Sequence, residues 1–344
     1  MNPTALLMLL ISLLIGTFTT MLSHHWLLAW IGLEINTLAM LPIMAETPHP
    51  RAIEAATKYF LTQATASALM LFSCLMSALQ TGEWDINNPP NLMTNPMFLA
   101  IVMKLGLAPL HFWLPEVLQG ASLLTGLILS TWQKIPPLTL LLQISPNTNL
   151  NLTVIMGLIS ILIGGWSGIG QTQLRKIMAF SSIGHLGWII LILKFNPQLS
   201  LFTFILYTVM TTAMFLSLIM LSATKMLQIS TSWTKNPALT TTTMLVLLSL
   251  AGLPPLTGFQ PKLLIILELI KQNMAIIAAM TMLTSLLALF FYLRLTYIIT
   301  LTLSPNIYNS TSIWRTPTKP PLTLATTNIT ALTLLPLTPT ILLV

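Results

Sequence analysis

The sequence predicts an all-α, polytopic membrane protein of about eleven transmembrane helices, two of them discontinuous and matched to each other as an inverted repeat. Three observations carry this: charge is scarce, apolar runs of spanning length recur, and two Gly/Pro-interrupted spans share one register. Of 344 residues, 55% are hydrophobic and only 6% charged, against roughly 25% charged in soluble domains. So few charges cannot cover a water-facing surface, which excludes a soluble enzyme, a disordered chain and a nucleic-acid-binding domain.

A hydrocarbon core about 30 Å thick needs about 20 apolar residues in helical form. Such runs cover residues 4–22, 26–45, 57–80, 96–119, 122–143, 150–171, 176–194, 199–222, 239–272, 274–301 and 323–343. The longer connections, 81–95 and 302–322, are rich in Asn, Pro, Ser and Thr, as solvated loops should be. Met1–Thr4 leads straight into the first run, with no basic leader and no Arg-rich transit segment. Either the first helix is itself the insertion signal, or the protein is made in the compartment where it works.

The excess of basic residues, 14 against 7 acidic, orients helices rather than forming a nucleic-acid stripe. Alternating the loops puts Arg51, Lys58, Arg175, Lys176, Lys225, Lys235, Arg294, Arg315 and Lys319 on one side. Lys194 and Lys271 fall on the other, with the acids Glu83 and Asp85. By the positive-inside rule the N-terminus faces a cytoplasm-like or matrix-like side and the C-terminus lies opposite. The single Cys74 sits in an apolar run and reads as packing.

Glu34, Lys104, Lys134, His185, Lys262 and Glu268 fall inside apolar stretches. An ionised group at a helix centre costs roughly 2.5–3.5 kcal/mol even on the lenient insertion scale. The plain reading is lysines that snorkel to the interface and acids paired for packing. The functional reading is a row of proton-exchanging groups, in which Glu34 tunes Lys104. Burial favours a neutral amine and a nearby carboxylate favours a charged one, so moving the partner switches the lysine.

The interrupted spans read Lys104-Leu-Gly-Leu-Ala-Pro109-Leu-His-Phe-Trp-Leu-Pro115-Glu116 and Ala251-Gly-Leu-Pro-Pro255-Leu-Thr-Gly-Phe-Gln-Pro261-Lys262. At an offset of 146, Gly106 meets Gly252, Leu107 Leu253, Pro109 Pro255, Leu110 Leu256, and Pro115 Pro261. The breaks lie in the fourth and ninth spans, an odd number apart, so the two cross in opposite directions. Paired interruptions of this kind mark inverted-repeat transporters. Proline removes an N–H and clashes with the carbonyl four residues back. The freed backbone groups are tolerated at membrane depth only in a protein-lined, hydrated cavity. The repeat divides the chain into halves 1–145 and 146–301, with a loop and last helix over 302–344.

The run from Lys104 through Pro109-Leu-His111-Phe-Trp113-Leu-Pro115-Glu116 resembles the lysine-then-PxHxWxP(D/E) signature of the antiporter-like subunits of proton-pumping NADH:quinone oxidoreductase. So do Gln173-Leu-Arg175-Lys176 through Ser181-Ser182-Ile-Gly-His185, and Leu253-Pro-Pro255 through Gly258-Phe259 to Lys262. With eleven spans, the whole chain is similar to the shortened mitochondrial form of animals. The resemblance implies that Glu34 and Lys104 are the glutamate–lysine pair of the first half-channel. Lys134 is then the connecting lysine, Lys262 the lysine of the second broken helix, and His185 part of the hydrated axis. It departs from the fourteen-helix bacterial pattern by three N-terminal helices, which implies that a partner covers the flank.

The resemblance further implies a multi-pass protein of the mitochondrial inner membrane, N-terminus on the matrix side. Its partners are other membrane-arm subunits, including neighbouring antiporter-like ones, and lipids. The sequence holds no dinucleotide fingerprint after a strand, no cysteine cluster and no soluble domain for flavin. This chain is therefore expected to carry no cofactor and no metal, with NADH, FMN, iron–sulfur clusters and ubiquinone held by partner subunits. The rival readings are a free-standing cation/proton antiporter and a purely structural membrane-arm subunit.

Overall fold

A computed structural model of the chain describes residues 2–46, 49–86, 91–234, 236–302 and 322–337. The chain divides into two compact units, 1–156 and 157–344.

The first unit contains α1 (Pro3–Leu22), α2 (Trp26–Met44), α3 (Pro50–Thr81), α4 (Asn91–Leu105), α5 (Trp113–Gly120), α6 (Leu123–Ser130) and α7 (Ile135–Ile144). Proline opens α1 and α3, where its missing N–H has no helical partner to lose. The His25 and His49 rings cap α2 and α3 by accepting the N–H of Leu27 and Arg51. In this unit α2 packs between α1 and α3, α3 contacts α4 and α5, and α7 contacts α1, α2 and α4.

The division falls within α8 (Leu150–Gly168). The second unit continues with α9 (Leu174–Leu193), α10 (Pro197–Leu221), a short α11 (Met226–Ser230), α12 (Pro237–Ala251), α13 (Phe259–Lys271), α14 (Ala275–Thr302) and α15 (Leu322–Thr333). Asn-Pro pairs start α10 and α12, the Asn196 and Asn236 side chains accepting the N–H of Leu199 and Leu239. Here α10 contacts α9, α12, α13 and α15, and α14 covers α12 and α13. Ile161, Trp188, Leu191, Leu199, Ile265 and Leu269 form part of the core.

Among the described residues, seven helices are each long and apolar enough to span a bilayer: α1, α2, α3, α8, α9, α10 and α14. Leu7, Met8, Ile11, Ile15 and Phe18 on α1, and Ile276, Leu283, Leu286 and Phe290 on α14, are exposed. In water such faces would drive aggregation; in lipid they are the natural outer surface. The expected runs 96–119 and 239–272 are helix pairs with breaks at 106–112 and 252–258. The run 122–143 differs from expectation, because it too is interrupted. After Ser130 the chain passes through a 3₁₀ turn at Trp132–Lys134. Pro136 and Pro137 supply no N–H to the carbonyls of Trp132 and Gln133, which makes an α-helical ladder impossible there.

Other expectations are corrected locally. Helix α4 begins before Pro96, so the preceding loop is shorter than 81–95. Arg51 and Lys58 lie in the first turns of α3 rather than in a loop, because the helix starts at Pro50. Arg294 lies within α14, and its guanidinium reaches the Ile169 carbonyl just past α8. Lys235, Arg315, Lys319, most of 302–322 and the end of the last span lie outside the described residues.

Two features repeat between the units. Near α2, Trp26 N–H bonds the Trp84 carbonyl and Ile86 N–H bonds the His24 carbonyl. Near α9, Leu174 N–H bonds the Thr224 carbonyl and Met226 N–H bonds the Thr172 carbonyl. The resulting antiparallel bridges, His25–Asp85 and Gln173–Lys225, each tie the loop before a unit's second long helix to the chain after its third. The breaks themselves are the second repeat.

Candidate functional site

Both breaks start with the same turn. Gly106 and Gly252 have φ of 76° and 82°, a left-handed conformation that glycine adopts without a Cβ penalty. Gly106 N–H reaches the carbonyls of Val102 and Met103, and Leu107 N–H that of Val102; Gly252 and Leu253 repeat this with Leu248 and Ser249. The second half-helices start at Trp113 and Phe259, again at the offset of 146. The register read from the prolines therefore holds along the backbone.

The lysines do not follow the repeat. Lys104 ends α4, where the second unit has Leu250, and Lys262 lies in the first turn of α13, where the first unit has Glu116. Different donors therefore bridge the two half-helices of each break. In the first unit the Trp113 indole donates to the Met103 carbonyl at 3.2 Å. In the second, the Lys262 amine donates to the Ala251 carbonyl at 2.8 Å. The Lys104 amine is buried without a hydrogen-bond partner among the described residues.

Lys104 and Lys134 line one cavity of about 20 Å³, together with Asn36, Tyr59, Gln63, Trp113 and Gln133. Both lysines are buried, 6% and 2% exposed. Lys134 arrives there because the unforeseen 3₁₀ turn ends on it. A water needs about 10–15 Å³ of such space, so the cavity has room for at least one. Glu34 is half-buried on α2 and stands beside the cavity rather than in its lining. Its Oε2 accepts the Thr37 hydroxyl at 3.1 Å. The two side chains expected to pair are therefore not hydrogen-bonded to each other.

His185 and Lys262 line a separate cavity of about 20 Å³ in the second unit, with Ser181, Trp188, Ser285 and Tyr292. The His185 ring centre lies 5.7 Å from that of Tyr207. Glu268 stands apart, 3.6 Å from the Lys271 amine one turn along α13, so its plain reading as a local partner fits. Cys74 is buried.

Sequence reasoning missed the polar lining: Asn36, Gln63, Gln133, Ser181 and Tyr292. A signal existed for Asn36 and Gln133, each within two residues of a buried charge in an apolar run. The Pro136-Pro137 pair likewise marked the third break.

Residues 23–288 match the family described as NADH:quinone oxidoreductase/Mrp antiporter, TM. Residues 289–342 match that described as NADH dehydrogenase subunit 2 C-terminus. The chain is 71% identical over 343 residues to NADH-ubiquinone oxidoreductase chain 2 of Aquarana catesbeiana, covering 100% of both chains. It is 58% identical over 324 residues to that of Xenopus laevis, covering 93% of both. Among solved structures it resembles a chain of respiratory complex I from Thermus thermophilus with bound aureothin. The TM-score is 0.87 at 23% identity, covering 99% of this chain and 80% of that one. For a chain of the Mrp complex from Dietzia the TM-score is 0.75 at 19% identity, with 85% and 60% covered. At these identities the structural likenesses bear on the fold.

Proposed function

The chain belongs to the NADH-ubiquinone oxidoreductase chain 2 family, within the NADH:quinone oxidoreductase/Mrp antiporter membrane proteins, and on that premise we propose that it is a proton-translocating subunit of a respiratory complex I membrane arm. The observation that carries the reading is that residues flanking each matched break line a cavity with two ionisable side chains, Lys104 with Lys134 and His185 with Lys262. A lysine among freed backbone groups and polar side chains can gain and lose a proton, where a dry, ion-paired lysine cannot.

In this mechanism Glu34 sets how firmly Lys104 holds its proton. Lys104 passes it to Lys134 within the first cavity; Lys262 and His185 do the same work in the second. The halves 1–145 and 146–301 are the two inverted repeats, each contributing half a channel, and 302–344 completes the fold. Electron transfer from NADH to ubiquinone, with FMN and iron–sulfur clusters, takes place in partner subunits, and this chain carries no redox centre. Its neighbours are other antiporter-like subunits and lipid. The charge asymmetry supports a mitochondrial inner-membrane orientation with the N-terminus in the matrix.

The test is Lys104→Ala in the assembled complex, reconstituted in vesicles. We expect NADH-driven proton transport to be lost, with assembly unchanged on native gels. Full transport at normal assembly would refute the assignment and leave a scaffold. Cation/proton exchange by the chain alone would favour the free-standing antiporter.

A further inference from the structure

We propose that Asn36 and Gln133 are positioning residues that hold the water through which Lys104 and Lys134 exchange a proton, a role that rests on the reading of these lysines as proton carriers. Asn36 is 2% exposed, and neither its Oδ1 nor its Nδ2 has a hydrogen-bond partner among the described residues. The Nε2 of Gln133 and the Lys104 amine are buried in the same condition. All three residues line one cavity of about 20 Å³. Buried polar groups nearly always find partners, and this cavity has room for a water to serve them.

The residue type suits the task. A side-chain amide both donates and accepts, so it fixes a water's orientation, and it does not titrate, so it never traps the proton in transit. In the transfer, an N–H bond of protonated Lys104 breaks as the water oxygen gains that proton. A second O–H of the water breaks as neutral Lys134 gains its proton. Lys104 ends neutral, Lys134 ends charged, and the water is regenerated. Helix α1 makes room for this arrangement: a Cβ on Gly16 would lie 2.7 Å from Asn36 Oδ1. That Cβ would also lie 2.9 Å from the Gly32 carbonyl, so Gly16→Ala displaces the amide together with the α2 backbone that carries it.

The experiment compares Asn36→Leu, Gln133→Met, Gly16→Ala and Asn36→Ser with Lys104→Ala in the reconstituted complex. It reads proton transport per NADH oxidised and the ratio of rates in H₂O and D₂O. We expect the first three variants to assemble and to slow transport by about tenfold to a hundredfold, with a raised isotope ratio. Asn36→Ser, which keeps a hydroxyl for the water, should restore most of the rate. Wild-type transport and isotope ratio in Asn36→Leu and Gln133→Met, with transport abolished in Lys104→Ala, would overturn this proposal and leave the proton-carrier reading standing. Wild-type transport in Lys104→Ala would remove both. A high-resolution map of the unaltered complex decides even if the variants do not assemble. Water density within hydrogen-bond distance of the Asn36 amide and Gln133 Nε2 is expected, and a dry cavity overturns the proposal.

Discussion

The Lys262 amine, carried by the first turn of α13, donates a 2.8 Å hydrogen bond to the Ala251 carbonyl, the last residue of α12. One side chain thus joins the two halves of a broken helix and satisfies a carbonyl that the break has freed. In the first unit a different pair joins the half-helices, the Trp113 indole donating to the Met103 carbonyl. An indole cannot release a proton under physiological conditions, whereas an amine can, so only in the second unit is the bridge itself titratable.

Lys262→Met is expected to abolish proton transport while leaving most of the complex assembled, because the methionine fills the space and the Ala251 carbonyl stays beside the cavity. Lys262→Arg should rescue assembly but not transport, since a guanidinium keeps its proton. Transport in vesicles and native-gel abundance separate the two effects. Normal transport in Lys262→Met would remove this residue from the mechanism.

Gly252→Ala should destabilise the complex by two routes. The left-handed backbone costs about 1–3 kcal/mol with a Cβ, and that Cβ would lie 2.8 Å from the Lys262 amine. Gly82, at the end of α3, has φ of 77° but nothing within 4 Å of its would-be Cβ, so Gly82→Ala carries the backbone cost alone. Thermal unfolding of both variants should show Gly252→Ala less stable, and only that variant should lose transport. Equal behaviour would mean that the Lys262 contact does not matter.

Glu34→Gln should slow transport without abolishing it, because the carboxylate makes no hydrogen bond to the Lys104 amine. The Thr37 hydroxyl can still donate to the glutamine carbonyl, so the fold of α2 should survive. A double-mutant cycle with Lys104→Gln checks the assignment. Additive effects would show that the two charges are uncoupled.

Lys58→Ala serves as a contrast. Lys58 bonds Glu54 on its own helix and Glu116 on α5, but its side chain is 40% exposed and the two carboxylates 60% and 51%. Exposed pairs of this kind contribute about 0–1 kcal/mol. Thermal stability should fall by no more than that and transport should be unchanged. A large loss of transport would make Lys58 part of the conduction machinery.

Much of the fold was legible because its causes are local. Spanning length follows from bilayer thickness, and the two expected breaks follow from Gly106, Pro109, Gly252 and Pro255. The third break was missed although Pro136 and Pro137 announce it, since a proline pair near a lysine also fits an ordinary kink. Lys104, Lys134, His185 and Lys262 stood out as charges in oil. Asn36, Gln63 and Gln133 did not, because an isolated amide in a membrane helix is unremarkable until its neighbours are known.

By itself the sequence determined the solvent of this protein, the extent of most spans and the register of the paired breaks, all consequences of composition and proline chemistry along a few turns. Only the tertiary structure decided which buried groups share a cavity, that Lys262 is engaged by a carbonyl while the Lys104 amine faces a cavity, and that Glu34 bonds Thr37 rather than Lys104. The reason lies in the solvent. Lipid and protein core are equally apolar, so hydrophobic pattern cannot say which face of a membrane helix turns inward, and only packing against neighbouring helices settles where each side chain points.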